Sequence, residues 1–199
     1  MPYKINPTTS KLDYYESSIS SGIGSFKYLN NPSVFHTLQG DISPNIGQGS
    51  QGTTLVAQLI KPSGDFVVNS VSINILSGAA GNAVVGVYDL DINGYPNNKL
   101  FQTTNFNTNV TGVQSIAVTP YTLEGSTNYA LVFQSSVSIP NMIRFGTLGS
   151  NNSILWGTDA NSLRYSLLSI VNSFSSTLPL VFPSGASLNT QPLIGIFFQ

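Results

Sequence analysis

The 199-residue chain carries seven Lys and Arg against eight Asp and Glu, a formal net charge of −1, and only 8% charged residues, where an ordinary globular domain has about 25%. Its few basic residues are scattered, which excludes binding to a nucleic-acid backbone by counterion release and excludes a polybasic membrane patch. There is no cysteine, so neither disulfides nor thiolate metal sites enter the fold.

Residues 1–52 are rich in breakers: Pro2, Pro7, Pro32, Pro44, and the run GQGSQG at 47–52. Few apolar positions alternate there, so the stretch is predicted to be extended, mostly irregular, and ordered only against a partner. Its aromatics Tyr3, Tyr14, Tyr15, Phe26, Tyr28 and Phe35 read as anchors. His36, the only histidine, falls in this stretch and suits a hydrogen-bonded structural role better than general-base work. GIGSFK at 22–27 lacks the full spacing of a phosphate loop. The start MPYKINPTTS has no apolar run of the export-signal kind, and apolar stretches such as IGIFF are too short to span a bilayer.

From residue 53 a period-two pattern appears and persists. TTLVAQLI at 53–60 and the alternation of Val71, Ile73 and Ile75 with Ser70, Ser72 and Asn74 are strand patterns. Further strands are predicted at 83–90, 100–104, 114–119, 128–134, 142–147, 162–168 and 193–198. Turn clusters separate them: SGAAGN, DINGYPNN, NTNVTG, LEGSTN and GSNNS. This spacing, with no helical window, predicts an all-β chain: an antiparallel β-sandwich, most simply a jelly roll, over 53–199, preceded by the irregular segment.

Within VGVYDLDINGYPNNKL, residues Asp89, Asp91, Asn93 and Gly94 match the opening of an EF-hand calcium loop. That loop needs a bidentate Glu at position twelve and flanking helices. Position twelve is Leu100, and the lead-in alternates Ala83, Val85 and Val87 with Val84, Gly86 and Tyr88, a strand pattern. The segment therefore reads as a strand connection, with Asn93-Gly94 supplying a positive-φ turn and Pro96 fixing the exit, the alternative being a calcium or ligand loop outside the EF-hand class. No metal and no cofactor are expected.

Catalytic signals are sparse. A Ser-His-Asp triad would have to use His36, and no G-x-S-x-G elbow occurs. The carboxylates Asp41, Asp65, Asp89, Asp91, Glu124 and Asp159 fall mostly in turn-like sequence, where short acids serve turn chemistry, so no catalytic residue is expected. Exposed loop aromatics suit stacking on sugars or packing against protein. Trp156, between two polar runs, reads either as a ligand platform or as a cap on the core, whereas Tyr165 alternates with Leu163 and Leu167 as packing residues do. The candidate ligand contacts are Asp91, Asn93, Tyr95 and Trp156.

Two stretches carry a resemblance. MPYKINPTTSKLDYYES resembles the N-terminal tag N-P-x-T-[GS]-K-L-D-Y of bacteriophage virion and tail-fibre proteins, with Ser10 at the position where glycine is usual. VGVYDLDINGYPNNKLF, VTGVQSIAVTPYTLEGSTNYALVFQSS and the closing TLPLVFPSGASLNTQPLIGIFF are similar to the jelly-roll domains that end phage fibre and appendage proteins. The resemblance implies a structural protein on the phage particle, tail or capsid: a homotrimeric β-sandwich that contributes to host-surface or glycan recognition. It implies anchoring to other virion proteins through Tyr3, Asn6, Pro7, Lys11, Leu12, Asp13 and Tyr14. Only residues of the ISPNIGQGSQG kind separate tag from head, which favours a short appendage over a long fibre. The rival expectations are a purely architectural capsid-decoration, head-fibre or baseplate protein, and an appendage enzyme that degrades polysaccharide.

Overall fold

The computed structural model describes the backbone of residues 3–5, 12–14, 36–37, 44–50, 52–62, 64–145, 157–158, 164–165, 167–189, 193–194 and 196–198, and side chains within 52–62, 64–140, 142, 168–187 and 198. Among these residues every regular element is a strand. In chain order they are β1 (Tyr3–Ile5), β2 (Leu12–Tyr14), β3 (His36–Thr37), β4 (Pro44–Ser50), β5 (Thr54–Ile60), β6 (Phe66–Ser77), β7 (Asn82–Leu90), β8 (Pro96–Gln102), β9 (Phe106–Asn107), β10 (Gly112–Leu123), β11 (Tyr129–Ser135), β12 (Ile139–Phe145), β13 (Gly157–Thr158), β14 (Arg164–Tyr165), β15 (Leu167–Val171), β16 (Ser187–Asn189), β17 (Leu193–Ile194) and β18 (Ile196–Phe198).

Two antiparallel sheets face each other. One runs β4-β12-β6-β10, with β17, β18 and β3 added beside β12 and β6. The other runs β16-β15-β5-β11-β7-β8, with β9 prolonging β8 along β7. The pairing is nested: β4 with β12, β5 with β11, β6 with β10, and β7 with β8. A long two-stranded ribbon, folded at the β7–β8 turn and rolled into two layers, is the jelly-roll topology. The first ribbon strand, β4, comes from the breaker-rich segment. Its Pro44 is tolerated because it is the first residue of an edge strand.

The two sheets differ in how many faces they bury. β10 alternates half-buried and exposed residues as far as Thr119, so it has one face toward the core and one toward water. β5, β7 and β11 are buried almost without a break, the pattern of strands covered on both faces. Their inner face builds the core between the sheets, with Ile73, Ile75, Val85, Val87, Leu131, Phe133 and Phe198. Their outer face carries a second cluster, Leu55, Ala57, Val84, Tyr88, Ala130 and Val132, extended by Leu168 of the adjoining β15 and covered by Leu178 and Phe182. Each such aliphatic or aromatic side chain contributes roughly 1.5–3 kcal/mol when removed from water.

The cover for the outer face is the stretch 172–186, which leaves β15 and returns to β16 through bends with a single bridge at Val181. Side chains from the sheet supply the hydrogen bonds that a ladder would otherwise supply. Gln134 Nε2 donates to the carbonyls of Asn172 (2.8 Å) and Ser173 (3.2 Å). Gln102 Oε1 accepts from Leu178 N at 2.9 Å, and Lys99 Nζ donates to Leu178 O at 2.7 Å. Lys99 N to Leu180 O and Phe182 N to Asn97 O close the far end along β8. A Cβ at Gly86 would lie 2.6 Å from the Leu178 Cδ1 and 3.0 Å from the Phe101 carbonyl oxygen, so this glycine marks a site of close approach within a strand.

Tyr88 ties the covering stretch to the sheet beneath it. Its ring meets Phe182 edge-on, with centroids 5.9 Å apart, and its hydroxyl donates to the Pro179 carbonyl. Burial pushes its phenol well above the ordinary value of 10.0. A raised folded-state pKa means that the unfolded chain loses its proton first, so stability is full below pH 10 and falls as pH climbs above it. Thermal unfolding between pH 8 and 11 is expected to show Tm dropping above pH 10, with a shallower drop in Tyr88→Phe; equal slopes would show that Tyr88 does not govern the alkaline limb.

Candidate functional site

The connections after β5, β7 and β10, at 61–65, 91–95 and 124–128, lie at one end of the sandwich. The first and third are bound together: Gly125 N donates to Asp65 Oδ1 at 2.9 Å and Ser126 N to Pro62 O at 2.7 Å. Glu124 N donates to the Tyr129 hydroxyl at 2.9 Å. Tyr121 packs its ring on Phe101, with centroids 5.3 Å apart. Its phenol is raised first by burial, then by Tyr129, Glu124 and Asp89, which brings Asp89 to this end as well. The four Asp and Glu residues whose side chains are described, Asp65, Asp89, Asp91 and Glu124, thus gather here with Lys61.

The β7–β8 turn is built by its own acids. Asp91 N donates to Tyr95 O at 2.8 Å and Gly94 N to Asp91 O at 3.0 Å, leaving the three-residue loop Ile92-Asn93-Gly94. Asp91 Oδ1 accepts from Asn93 N at 2.8 Å and from Tyr95 N at 2.9 Å. Asp89 Oδ1 accepts from Asn98 N at 2.6 Å, and Asn98 Nδ2 donates to Asp89 Oδ2 at 3.3 Å. Gly94 alone has positive φ, +82°; Asn93 does not share it. This is a three-residue hairpin closed by a left-handed glycine, the conformation glycine adopts without steric cost.

The calcium-like spacing is therefore turn chemistry. Both carboxylates accept backbone N–H groups, as short acids in turns do, and among the described residues no group of three or more His, Cys, Asp or Glu converges as metal ligands would. Asp91→Ala is expected to lower stability by about 1 kcal/mol in urea titrations, a modest loss because water can replace the exposed acceptor. Millimolar calcium is expected to leave Tm unchanged in both proteins; a rise confined to the parent chain would overturn the turn assignment.

What the turn displays is apolar and polar at once. Ile92 is 99% exposed and Tyr95 52% exposed, with Asn93 also open to solvent. Asp91 holds this display in shape. On the β8 side, Leu180 and Val181 of the covering stretch are likewise exposed, residues that the sequence reading did not single out as contacts. Asp91, Asn93 and Tyr95 thus occupy one turn, while Trp156 lies outside the described residues. Of the tag residues, Tyr3 pairs with Tyr14 and the backbone of Leu12 and Asp13 lies in β2, opposite β1; Asn6, Pro7 and Lys11 lie outside the described residues. Searches against family models, curated proteins and solved structures return no match to this chain.

Proposed function

We propose that this chain is a bacteriophage virion protein, a short tail or capsid appendage held to the particle by its N-terminal segment, whose jelly roll contributes to host-surface recognition by binding glycan non-covalently. The observation that carries this reading is the 91–95 turn: an internally capped hairpin that places Ile92, Asn93 and Tyr95 in solvent. An aromatic face beside amide donors and acceptors is suited to a sugar ring, which has an apolar face and a hydroxyl rim. The fold, the tag-like sequence of residues 6–14, and the low charge support a particle-bound protein. Asp89 and Asp91 each turn Oδ1 to backbone N–H groups of their own turn, an arrangement that favours a structural role for these acids over acid–base chemistry on polysaccharide.

Contacts of this kind are individually weak, and several copies on one particle gain avidity. The test is adsorption of particles carrying Ile92→Ala, Asn93→Ala and Tyr95→Ala together, which keeps Asp91 and hence the turn. Adsorption is expected to fall about tenfold, the loss of roughly 1.4 kcal/mol of effective binding. Unchanged adsorption, together with a blank glycan array for the purified protein, would leave the architectural role as the better reading. Release of sugar from host envelope would replace both with an enzyme.

A further inference from the structure

The display at 91–95 is set among carboxylates. Asp91 is itself exposed and lies directly behind Asn93 and Tyr95, because its Oδ1 holds both of their backbone N–H groups. Asp89, near the end of β7, is tied across to β8 through Asn98. Burial raises the Tyr121 phenol most, followed by Tyr129, Glu124 and Asp89, so Glu124 and the root of the turn share Tyr121 as a neighbour. Glu124 is exposed, and its backbone holds its loop: Glu124 N donates to the Tyr129 hydroxyl at 2.9 Å and Thr127 N to Glu124 O at 3.4 Å.

The amines among the described side chains are Lys61 and Lys99. Lys99 Nζ donates to Gln102 Oε1 at 2.9 Å and to Leu178 O at 2.7 Å. Its charge is thereby drawn toward the end of β8 remote from the turn and held between two neutral oxygens. Burial lowers its pKa in that position. Lys61, in the 61–65 connection, is one amine against four carboxylates at this end of the sandwich.

We propose that the site on the turn selects glycans by charge, taking neutral sugars and rejecting those that carry a carboxylate or phosphate. This selection rests on the glycan reading above and names the class of glycan. A sugar ring against Tyr95, with its hydroxyls at the Asn93 amide, brings any acidic substituent close to Asp91, with Asp89 and Glu124 behind. Each repulsion is weak in water, but the three have the same sign and add. Recognition of a carboxylate or phosphate calls for a guanidinium fork or an ammonium. The display offers an amide, a phenol and the aliphatic chain of Ile92 instead. Those groups suit hydroxyl and acetamido substituents, which exchange neutral hydrogen bonds and present a methyl group.

The test is binding of the purified full chain to oligosaccharides of neutral hexoses and N-acetylhexosamines, beside counterparts bearing uronic acid, sialic acid or phosphate. At low ionic strength the neutral members are expected to bind about tenfold more tightly than their acidic counterparts. Physiological salt is expected to narrow that gap, because it screens exposed charges beyond about 8 Å. Glu124→Lys is expected to strengthen binding of the acidic members about tenfold and to leave neutral binding unchanged. Glu124→Gln is expected to act in the same direction by a smaller factor, and thermal melts establish that both variants are folded. Equal or stronger binding of acidic glycans by the parent chain, or a gap that neither salt nor these variants alter, would overturn selection by charge while the glycan reading stands. Binding to neither kind would overturn the glycan reading itself, and this selection with it.

Discussion

Leu178→Ala is expected to lower the free energy of unfolding by about 3 kcal/mol, the range for a Leu deleted from a packed interior, although it lies in a stretch with almost no repeating structure. Leu178 is 1% exposed and sits in the cluster over the outer face of β5, β7 and β11. Its methyl group fills the space that Gly86 leaves, and its backbone N–H is held by Gln102. Truncation therefore opens a cavity that backbone bonds to the stretch prevent from collapsing. Leu180→Ala, two residues on, removes a side chain that is 76% exposed and is expected to cost no more than about 0.5 kcal/mol. Urea titration of both variants tests this. Equal effects would mean that 172–186 merely passes over the sheet instead of completing its second core.

Gly125→Ala is expected to cost about 2–3 kcal/mol, from overpacking plus a disturbed hydrogen bond. A Cβ on Gly125 would lie 2.4 Å from the Gly64 Cα and 2.7 Å from its carbonyl carbon. Those are backbone atoms, so no rotamer change relieves the clash and the 61–65 and 124–128 connections must separate. Separation strains the bonds from Gly125 N to Asp65 and from Ser126 N to Pro62. Gly94→Ala is the informative contrast: nothing lies within 4 Å of its Cβ position, so its only cost is the left-handed backbone, roughly 1 kcal/mol. If Gly125→Ala proves as mild as Gly94→Ala, the two connections are not in close contact in solution.

The turn at 91–95 was legible from residues alone, because its geometry is set within a few positions: an aspartate whose carboxylate reaches the amides two and four residues on, and a glycine free to take positive φ. The positive-φ turn expected at Asn93-Gly94 is there, with Gly94 as the residue that takes the left-handed conformation. Strand positions were legible where one face is wet, as in β10, since alternation needs two unlike faces. The continuous runs of β5, β7 and β11 were seen as strands, but nothing local says what covers the second face. The covering stretch 172–186 escaped because its bonds come from Gln102, Lys99, Tyr88 and Gln134, far away along the chain.

Composition and pattern by themselves determined the class of this protein: few charges, no thiols, and short strands divided by turn residues leave a layered all-β fold as the way to bury its apolar side chains. Local preference acts over the span of one turn or one strand, so it settles those units and stops there. Which strands pair was decided by tertiary structure alone. The glycine-rich β4 carries little propensity of its own and becomes a strand because β12 offers it an unpaired edge, and the nested order around the β7–β8 turn arises because only a rolled ribbon puts both apolar faces under cover at once.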